Sequence, residues 1–263
     1  MKYAILGAGG MLGSGVVKVL NHRQIEYTTH KIVPGGKWLE ELTVSDADVL
    51  INCAGALTQV HPTEQIYMNG HIPFMVRKVF KGRIVYVSTD CVFSGYRQDR
   101  WNLPTDIPDP TSTYGISKRM GELSADLVVR TSFIGLRHGL LRWAIDHDNE
   151  TVEGWVGAKW NGSTARVVAE SLVLLVDTYD FDKDLANGIC HIASNQVVTK
   201  YDLLKMINEV FDLGLEIKPV YEPRINRALG ASHINIAISL KNALYELYEE
   251  WIDERSVASE ATR

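Results

Sequence analysis

Short apolar runs alternate with stretches of helical periodicity through the first half of the chain. Tyr3-Ala4-Ile5-Leu6 is uniformly apolar, the pattern of a strand covered on both faces. Met11, Leu12, Val16, Val19 and Leu20 then fall on one face of a helix over 11–20. Strands are predicted at 25–29, 48–52 and 83–87, with a helix over 66–80 before the last. A helix over 112–125 leads into a strand at 127–130. Repeated strand–helix units predict an α/β fold, a doubly wound parallel sheet with helices on both faces.

The alternation loosens after about Gly135. Helices are predicted over 164–176, 200–211 and 243–252, and strands over 188–193 and 215–220. In 200–211, Leu203, Leu204 and Ile207 point inward. The expected layout is a nucleotide-binding and catalytic domain over 1–150, with return segments near 164–193. A smaller substrate lobe covers 151–255, and 256–263, which lacks apolar periodicity, forms a frayed tail.

Composition narrows the function classes. Of 263 residues, 46% are hydrophobic and 22% charged, which excludes disordered and collagen-like chains. The formal net charge of −5 argues against nucleic-acid or anionic-membrane partners, which need a basic footprint. Cys53, Cys91 and Cys190 are dispersed, with no Cys-x-x-Cys pair, so neither a disulfide framework nor a zinc site is signalled. No apolar run approaches membrane-spanning length, and the N-terminus does not read as a signal peptide. The expected setting is cytoplasmic.

Gly7-Ala8-Gly9-Gly10-Met11-Leu12-Gly13 lies between the first strand and the first helix. Glycines let backbone approach a pyrophosphate, and the helix N-terminus offers free N–H groups to it. Without the flanking strand and helix the motif would be only a glycine turn. An NAD-selective site usually has an acid at the end of the second strand. Tyr27-Thr28-Thr29-His30-Lys31 has none, and Lys31 with His30 suits a 2′-phosphate, so NADPH is expected, with NADH the alternative.

Two further segments carry chemistry. Ser88-Thr89-Asp90-Cys91 ends the fourth strand, at the sheet edge where ligands bind in open parallel sheets. Tyr114 and Lys118 are four apart and share a helix face. An ammonium beside a phenol would lower its pKa and make Tyr114 a proton donor for carbonyl reduction. A hydroxyl of Thr89 or Ser88 would polarise that carbonyl. Taken alone, Tyr-x-x-x-Lys is as readily a surface pair; the order of the three motifs gives it weight.

In that order the motifs resemble the extended short-chain dehydrogenase/reductase superfamily, and within it the dTDP-4-dehydrorhamnose reductase family. The resemblance rests on Gly7–Gly13, Asn52–Gly55, Asn69, Ser88–Gly95, Tyr114–Glu122 and Arg130-Thr131-Ser132. It continues through Trp160–Thr164 and Thr199–Leu204. It implies a Rossmann-type sheet with a small C-terminal α/β lobe, and reduction of a nucleotide-linked 4-keto-6-deoxyhexose. Tyr114 would be the acid. Lys118 would lower its pKa and hold the nicotinamide ribose, and Thr89 would bind the keto oxygen with Ser88 close by. Gly7, Gly10, Met11, Leu12 and Gly13 would line the pyrophosphate. Cys53, Ala54 and Gly55 would contact the adenosine ribose or diphosphate, while Asn69 would fix the helix behind the cofactor.

The sequence departs from the family at Cys91, where tyrosine is common. Cys91 reads as a small cleft residue rather than a nucleophile, since no histidine pairs with it nearby in sequence. It also cannot replace the acid a 4,6-dehydratase needs. The polar loop 96–110, with Trp101, is expected to close over the sugar or to be a plain surface loop. In the lobe, Trp160 and Asn161 precede a helix capped at Ser163 and suit stacking and hydrogen bonding to a sugar or base; Trp160 equally suits a hydrophobic anchor. The resemblance assigns Arg227 to the diphosphate and allows a homodimer. No carboxylate cluster calls for a metal. The alternatives are another sugar-nucleotide reductase or epimerase, or a non-catalytic NADP-binding regulatory subunit.

Overall fold

The computed structural model describes residues 1–181, 188–230 and 233–260. The chain runs β1 (Tyr3–Leu6), α1 (Met11–His22), β2 (Tyr27–His30), α2 (Trp38–Thr43), β3 (Val49–Asn52) and α3 (Pro62–Gln65). A π-helical turn, Ile66–His71, leads into α4 (Ile72–Val79). Next come β4 (Arg83–Thr89), a 3₁₀ turn (Asp90–Val92), α5 (Thr113–Glu122), β5 (Leu127–Thr131), β6 (Phe133–Ile134) and α6 (Leu140–Asp146). The remainder is β7 (Thr151–Trp155), β8 (Ala158–Trp160), β9 (Ser163–Thr164), α7 (Ala165–Thr178), β10 (Ile189–Ser194) and β11 (Val198–Thr199). It ends with α8 (Lys200–Val210), β12 (Glu216–Val220), β13 (Ile225–Asn226), β14 (Ile234–Ile236) and α9 (Leu240–Glu260).

Seven strands form a parallel sheet in the order β2-β1-β3-β4-β5-β10-β14. Since β1 lies between β2 and β3, the loops after β1 and β3 flank the crevice where the strand order reverses, the usual ligand position in such sheets. Tyr3 and Ile5 face the layer of α1 and α7, packed with Val16, Leu20, Val168 and Leu172. Ala4 and Leu6 face the opposite layer, packed with Trp38, Leu42, Ile72 and Val76. Both faces are covered, which explains the uniformly apolar strand.

The lobe has its own core, in which Leu141, Val152, Trp160, Leu203, Leu204 and Ile207 meet Leu240 and Leu244 of α9. Ala243 of the same helix belongs to the sheet core, so α9 contributes to both cores. The C-terminal half also returns to the sheet through α7, β10 and β14.

Several local expectations are revised. The helix expected over 66–80 starts earlier, at Pro62, and contains the π turn. Ser163 lies in β9; Thr164 occupies the N-cap of α7 and makes no side-chain cap bond. The backbone stays helical through Glu260, past Ser256 where a tail was expected, because extending a formed helix costs little per residue. The last three tail residues, 261–263, lie outside the described residues. Among the described residues no helix is long and apolar enough to cross a membrane.

Candidate active site

The β1–α1 loop and the loop after β3 meet backbone to backbone. Gly7 has φ +83°, and a Cβ there would lie 2.6 Å from the Ala54 nitrogen. A Cβ on Gly13 would lie 2.2 Å from the Gly7 carbonyl oxygen. Gly10 caps α1 without a side-chain bond, so the first-turn N–H groups of Met11, Leu12 and Gly13 face outward as donors. Leu12 itself is buried in the sheet core, leaving only its backbone for a ligand. Arg137, which the sequence reading missed, donates from Nη1 to the Gly9 carbonyl at 3.0 Å and brings a cation to this loop.

The other residues expected on the cofactor side lie around the same crevice. Burial pushes the Cys53 thiol up to about 12, so it is neutral. A Cβ on Gly55 would lie 2.9 Å from Asn69 Oδ1 and 3.7 Å from Lys118 Nζ. Asn69 clamps this loop, exchanging bonds with the Ala56 N–H and carbonyl while donating to Ser117 Oγ of α5. A cavity of about 520 Å³ opens beside Gly55 among Val60, Met68, Arg137 and Trp143. Another, of about 540 Å³, lies behind α1 among Lys18, Arg166 and Leu247, away from Tyr114.

At the end of β2, Lys31 is exposed. His30 is buried, with its ring between Thr28 Oγ1 at 3.1 Å and Glu41 Oε2 at 3.4 Å. It is therefore not open to a 2′-phosphate. The fold also brings an acid to this edge from α2, eleven residues on, which the local sequence did not reveal.

The catalytic candidates meet where α5 touches the end of β4. Thr89 caps the 3₁₀ turn, accepting from the Cys91 N–H at 3.2 Å and donating to Asp90 Oδ1 at 3.1 Å. A Cβ on Gly115 would lie 2.2 Å from the Cys91 carbonyl oxygen, so α5 rests directly on this turn. Tyr114 is thereby set against Thr89 and Cys91. Burial pushes its phenol well above the usual range, Cys91 and Asp90 push the same way, and the neighbouring Thr89 hydroxyl opposes them.

Lys118 lies one turn further along α5. Its Nζ donates to the Val87 carbonyl at 2.7 Å and sits 4.3 Å from the Tyr86 ring centroid. Burial lowers it to about 8, while Glu122 and Cys53 favour the charged form. The expectation that Lys118 depresses the Tyr114 pKa is not met: burial dominates the phenol, and the ammonium is engaged with Val87 and Tyr86.

Glu122, another turn on, completes an i, i+4, i+8 row that the spacing could have revealed. Arg130 binds it at two points and Arg119 at a third. Burial alone would raise its pKa, but Arg130, Ser88 and Arg119 outweigh that and hold it below the usual value. Ser88 donates to Glu122 Oε1 at 2.6 Å, so its hydroxyl braces β4 against α5 rather than meeting substrate.

The substrate-side residues divide. Arg227 Nη1 donates to Cys91 Sγ at 3.3 Å, and burial pushes the Cys91 thiol up to about 12, which disfavours it as a nucleophile. Asn161 is buried and spends its amide on the protein, donating to the Ser194 and Leu229 carbonyls and accepting from the Leu229 N–H. It fixes the segment carrying Arg227, and its amide hydrogens are both taken by backbone carbonyls. Trp160 is only 3% exposed, with Nε1 bonded to Ser132 Oγ and Lys200 Nζ 4.8 Å from its ring centroid, so it is a lobe anchor without a free stacking face. Loop 96–110 is tied to the same segment through Asn102 and Asn226. Lys200 had no local signal beyond its place after the capping residue Thr199.

A glycine loop at the switch point of a parallel sheet, with Tyr-x-x-x-Lys on a helix against the end of β4, defines the extended short-chain dehydrogenase/reductase architecture. Within it, the chain belongs to the family described as the RmlD substrate binding domain, whose model matches residues 1–231. It is 26% identical to the dTDP-4-dehydrorhamnose reductase of Aggregatibacter actinomycetemcomitans, over 92% of this chain and 90% of the relative. The fold is similar to that of a dTDP-4-dehydrorhamnose reductase from Clostridium acetobutylicum, with TM-score 0.80, 20% identity, and 95% and 99% of the two chains covered. It is also similar to the dTDP-4-dehydrorhamnose reductase of Bacillus anthracis solved with NADP, with TM-score 0.76, 19% identity, and 95% and 99% covered.

Proposed function

We propose that this protein is an NADPH-dependent reductase of a nucleotide-linked 4-keto-6-deoxyhexose. The observation that carries the reading is the junction of α5 with β4, where Tyr114 and Thr89 meet with Lys118 one turn away beside Gly55. Family membership and the relatives' names support the substrate class.

The crevice suits a dinucleotide. The cradle between Gly7, Gly13 and Ala54 is one that a Cβ would fill, and the first turn of α1 offers its N–H groups there. Gly7, Gly10, Met11, Leu12, Gly13, Cys53, Ala54 and Gly55 would hold the diphosphate and adenosine ribose, Lys118 the second ribose, and Lys31 a 2′-phosphate. When bound, the nicotinamide supplies a hydride to the keto carbon.

Thr89 would turn its one hydroxyl proton from Asp90 to hold the keto oxygen, and Tyr114 would give that oxygen a proton. A phenol is protonated at neutral pH, so the donor is loaded before substrate arrives. Arg227 would engage the substrate diphosphate.

The test is the purified chain with a panel of nucleotide keto-sugars, followed by NADPH absorbance. Substrate-dependent oxidation that is lost in Tyr114→Phe supports the reading. Interconversion of sugars without net NADPH consumption would make it an epimerase, and absence of all turnover with an obligate partner enzyme would make it a regulatory subunit.

A further inference from the structure

Arg227 does not stand alone in the lobe. Its Nη1 is bound to Cys91 Sγ, but its Nε is buried with no hydrogen-bond partner among the described residues. Lys200, the first residue of α8, follows β11, which pairs with β8 on the side opposite β13, the strand that precedes Arg227. Its Nζ sits 4.8 Å from the Trp160 ring centroid, and that ring is itself fixed by Ser132. Asp90, Cys91 and Arg227 are the charged and titratable neighbours felt by Lys200. Asp90 is the carboxylate of the group, and it accepts a hydrogen bond from Thr89. Lys200 makes no ion pair or hydrogen bond of its own among the described residues, and burial holds its ammonium below the usual range.

Two cations sharing a partly buried cluster with one carboxylate leave a positive charge without a counter-ion. Such a charge is costly to bury, and a ligand oxyanion relieves it. An aromatic face keeps the ammonium in place while leaving its N–H donors free. The cluster adjoins Cys91, which lies against Tyr114, so a ligand whose keto group lies at Tyr114 passes beside it.

We infer that Lys200 is a substrate-binding residue that acts with Arg227 to receive an oxyanion of the substrate. The inference rests on the sugar-nucleotide reading above. The oxyanion comes from the diphosphate or, where the sugar is a uronate and not the 6-deoxyhexose proposed above, from its carboxylate, and the two sources are separable.

The experiment titrates the full chain by calorimetry with dTDP, UDP-glucose and UDP-glucuronic acid, comparing wild type with Lys200→Met and Lys200→Arg. Methionine keeps the length and the contact with Trp160 but removes the charge. Loss of a charge-assisted contact predicts about tenfold or greater weakening in Lys200→Met, with Lys200→Arg within about threefold of wild type. In turnover, KM rises while kcat stays within about threefold, since Lys200 binds rather than transfers a proton. Weakening equal for all three ligands assigns the oxyanion to the diphosphate, and weakening greatest for UDP-glucuronic acid assigns it to a carboxylate. If Lys200→Met binds every ligand as wild type does, the inference is overturned while the function stands. If wild type binds none of the three, the sugar-nucleotide reading falls and the inference falls with it. Should Lys200→Met unfold, Lys200→Gln serves the same comparison.

Discussion

Glu122 and Arg130 form a two-point ion pair, Nε to Oε1 and Nη2 to Oε2 both at 2.9 Å, with both side chains fully buried. The pair joins α5 to β5, and Ser88 adds β4 to it through a 2.6 Å bond. Removing one member leaves the other as an uncompensated buried charge. Glu122→Gln or Arg130→Met is therefore expected to destabilise the fold by about 3–5 kcal/mol. Urea unfolding measures it, and an unchanged midpoint would show the pair to be dispensable.

Tyr114→Phe removes the proposed proton donor while leaving the ring packed against Cys91. kcat is expected to fall by about 100-fold or more, with NADPH affinity little changed. Steady-state kinetics beside a cofactor titration separate the two effects. Near-wild-type turnover would remove Tyr114 from the chemistry.

Lys118 makes the pH dependence legible. Its pKa is lowered to about 8, so the ammonium is charged below that pH and neutral above it. An alkaline fall in kcat/KM of the reductase is expected near pH 8. Because Glu122 favours the charged form, Glu122→Gln moves that fall to lower pH. The stability sign is opposite. Between about 8 and the ordinary lysine value the unfolded chain binds more protons, so this group raises stability with pH, by at most about 1.4 kcal/mol per unit. Lys118→Met lacks the rise, which paired unfolding curves at pH 7 and pH 10 measure.

Gly115→Ala places a methyl 2.2 Å from the Cys91 carbonyl oxygen, a backbone atom that cannot swing aside. The α5 helix must lift off the 3₁₀ turn, separating Tyr114 from Thr89. Both the melting temperature and kcat should drop. A variant that keeps both would mean the two elements tolerate being moved apart.

At the β2 edge, Glu41 opposes a 2′-phosphate that Lys31 would attract. Glu41→Gln is expected to raise the ratio of kcat/KM for NADPH over NADH, and Lys31→Ala to lower it. Opposite or absent shifts would place the adenosine ribose elsewhere.

What the sequence determined by itself is carried by local rules. Tyr3–Leu6 and Val49–Asn52 are buried on both faces, so their apolar runs announce central parallel strands. The Gly7–Gly13 motif needs only a strand before and a helix after, and Tyr114 and Lys118 share a face through helical spacing alone. Chain order and these spacings therefore disclosed the sheet, the crevice and the helix that carries Tyr114 and Lys118. The fate of each polar side chain was decided only by tertiary packing. Ser88, Trp160 and Asn161 are the right residue types beside a sugar, yet Ser88 braces Glu122, Trp160 fills the lobe core, and Asn161 holds the Leu229 backbone. Glu41 reaches His30, and Lys200 shares a cluster with Arg227, through elements distant in sequence. A buried polar group must find its partner in space, and no periodicity records which partner that is.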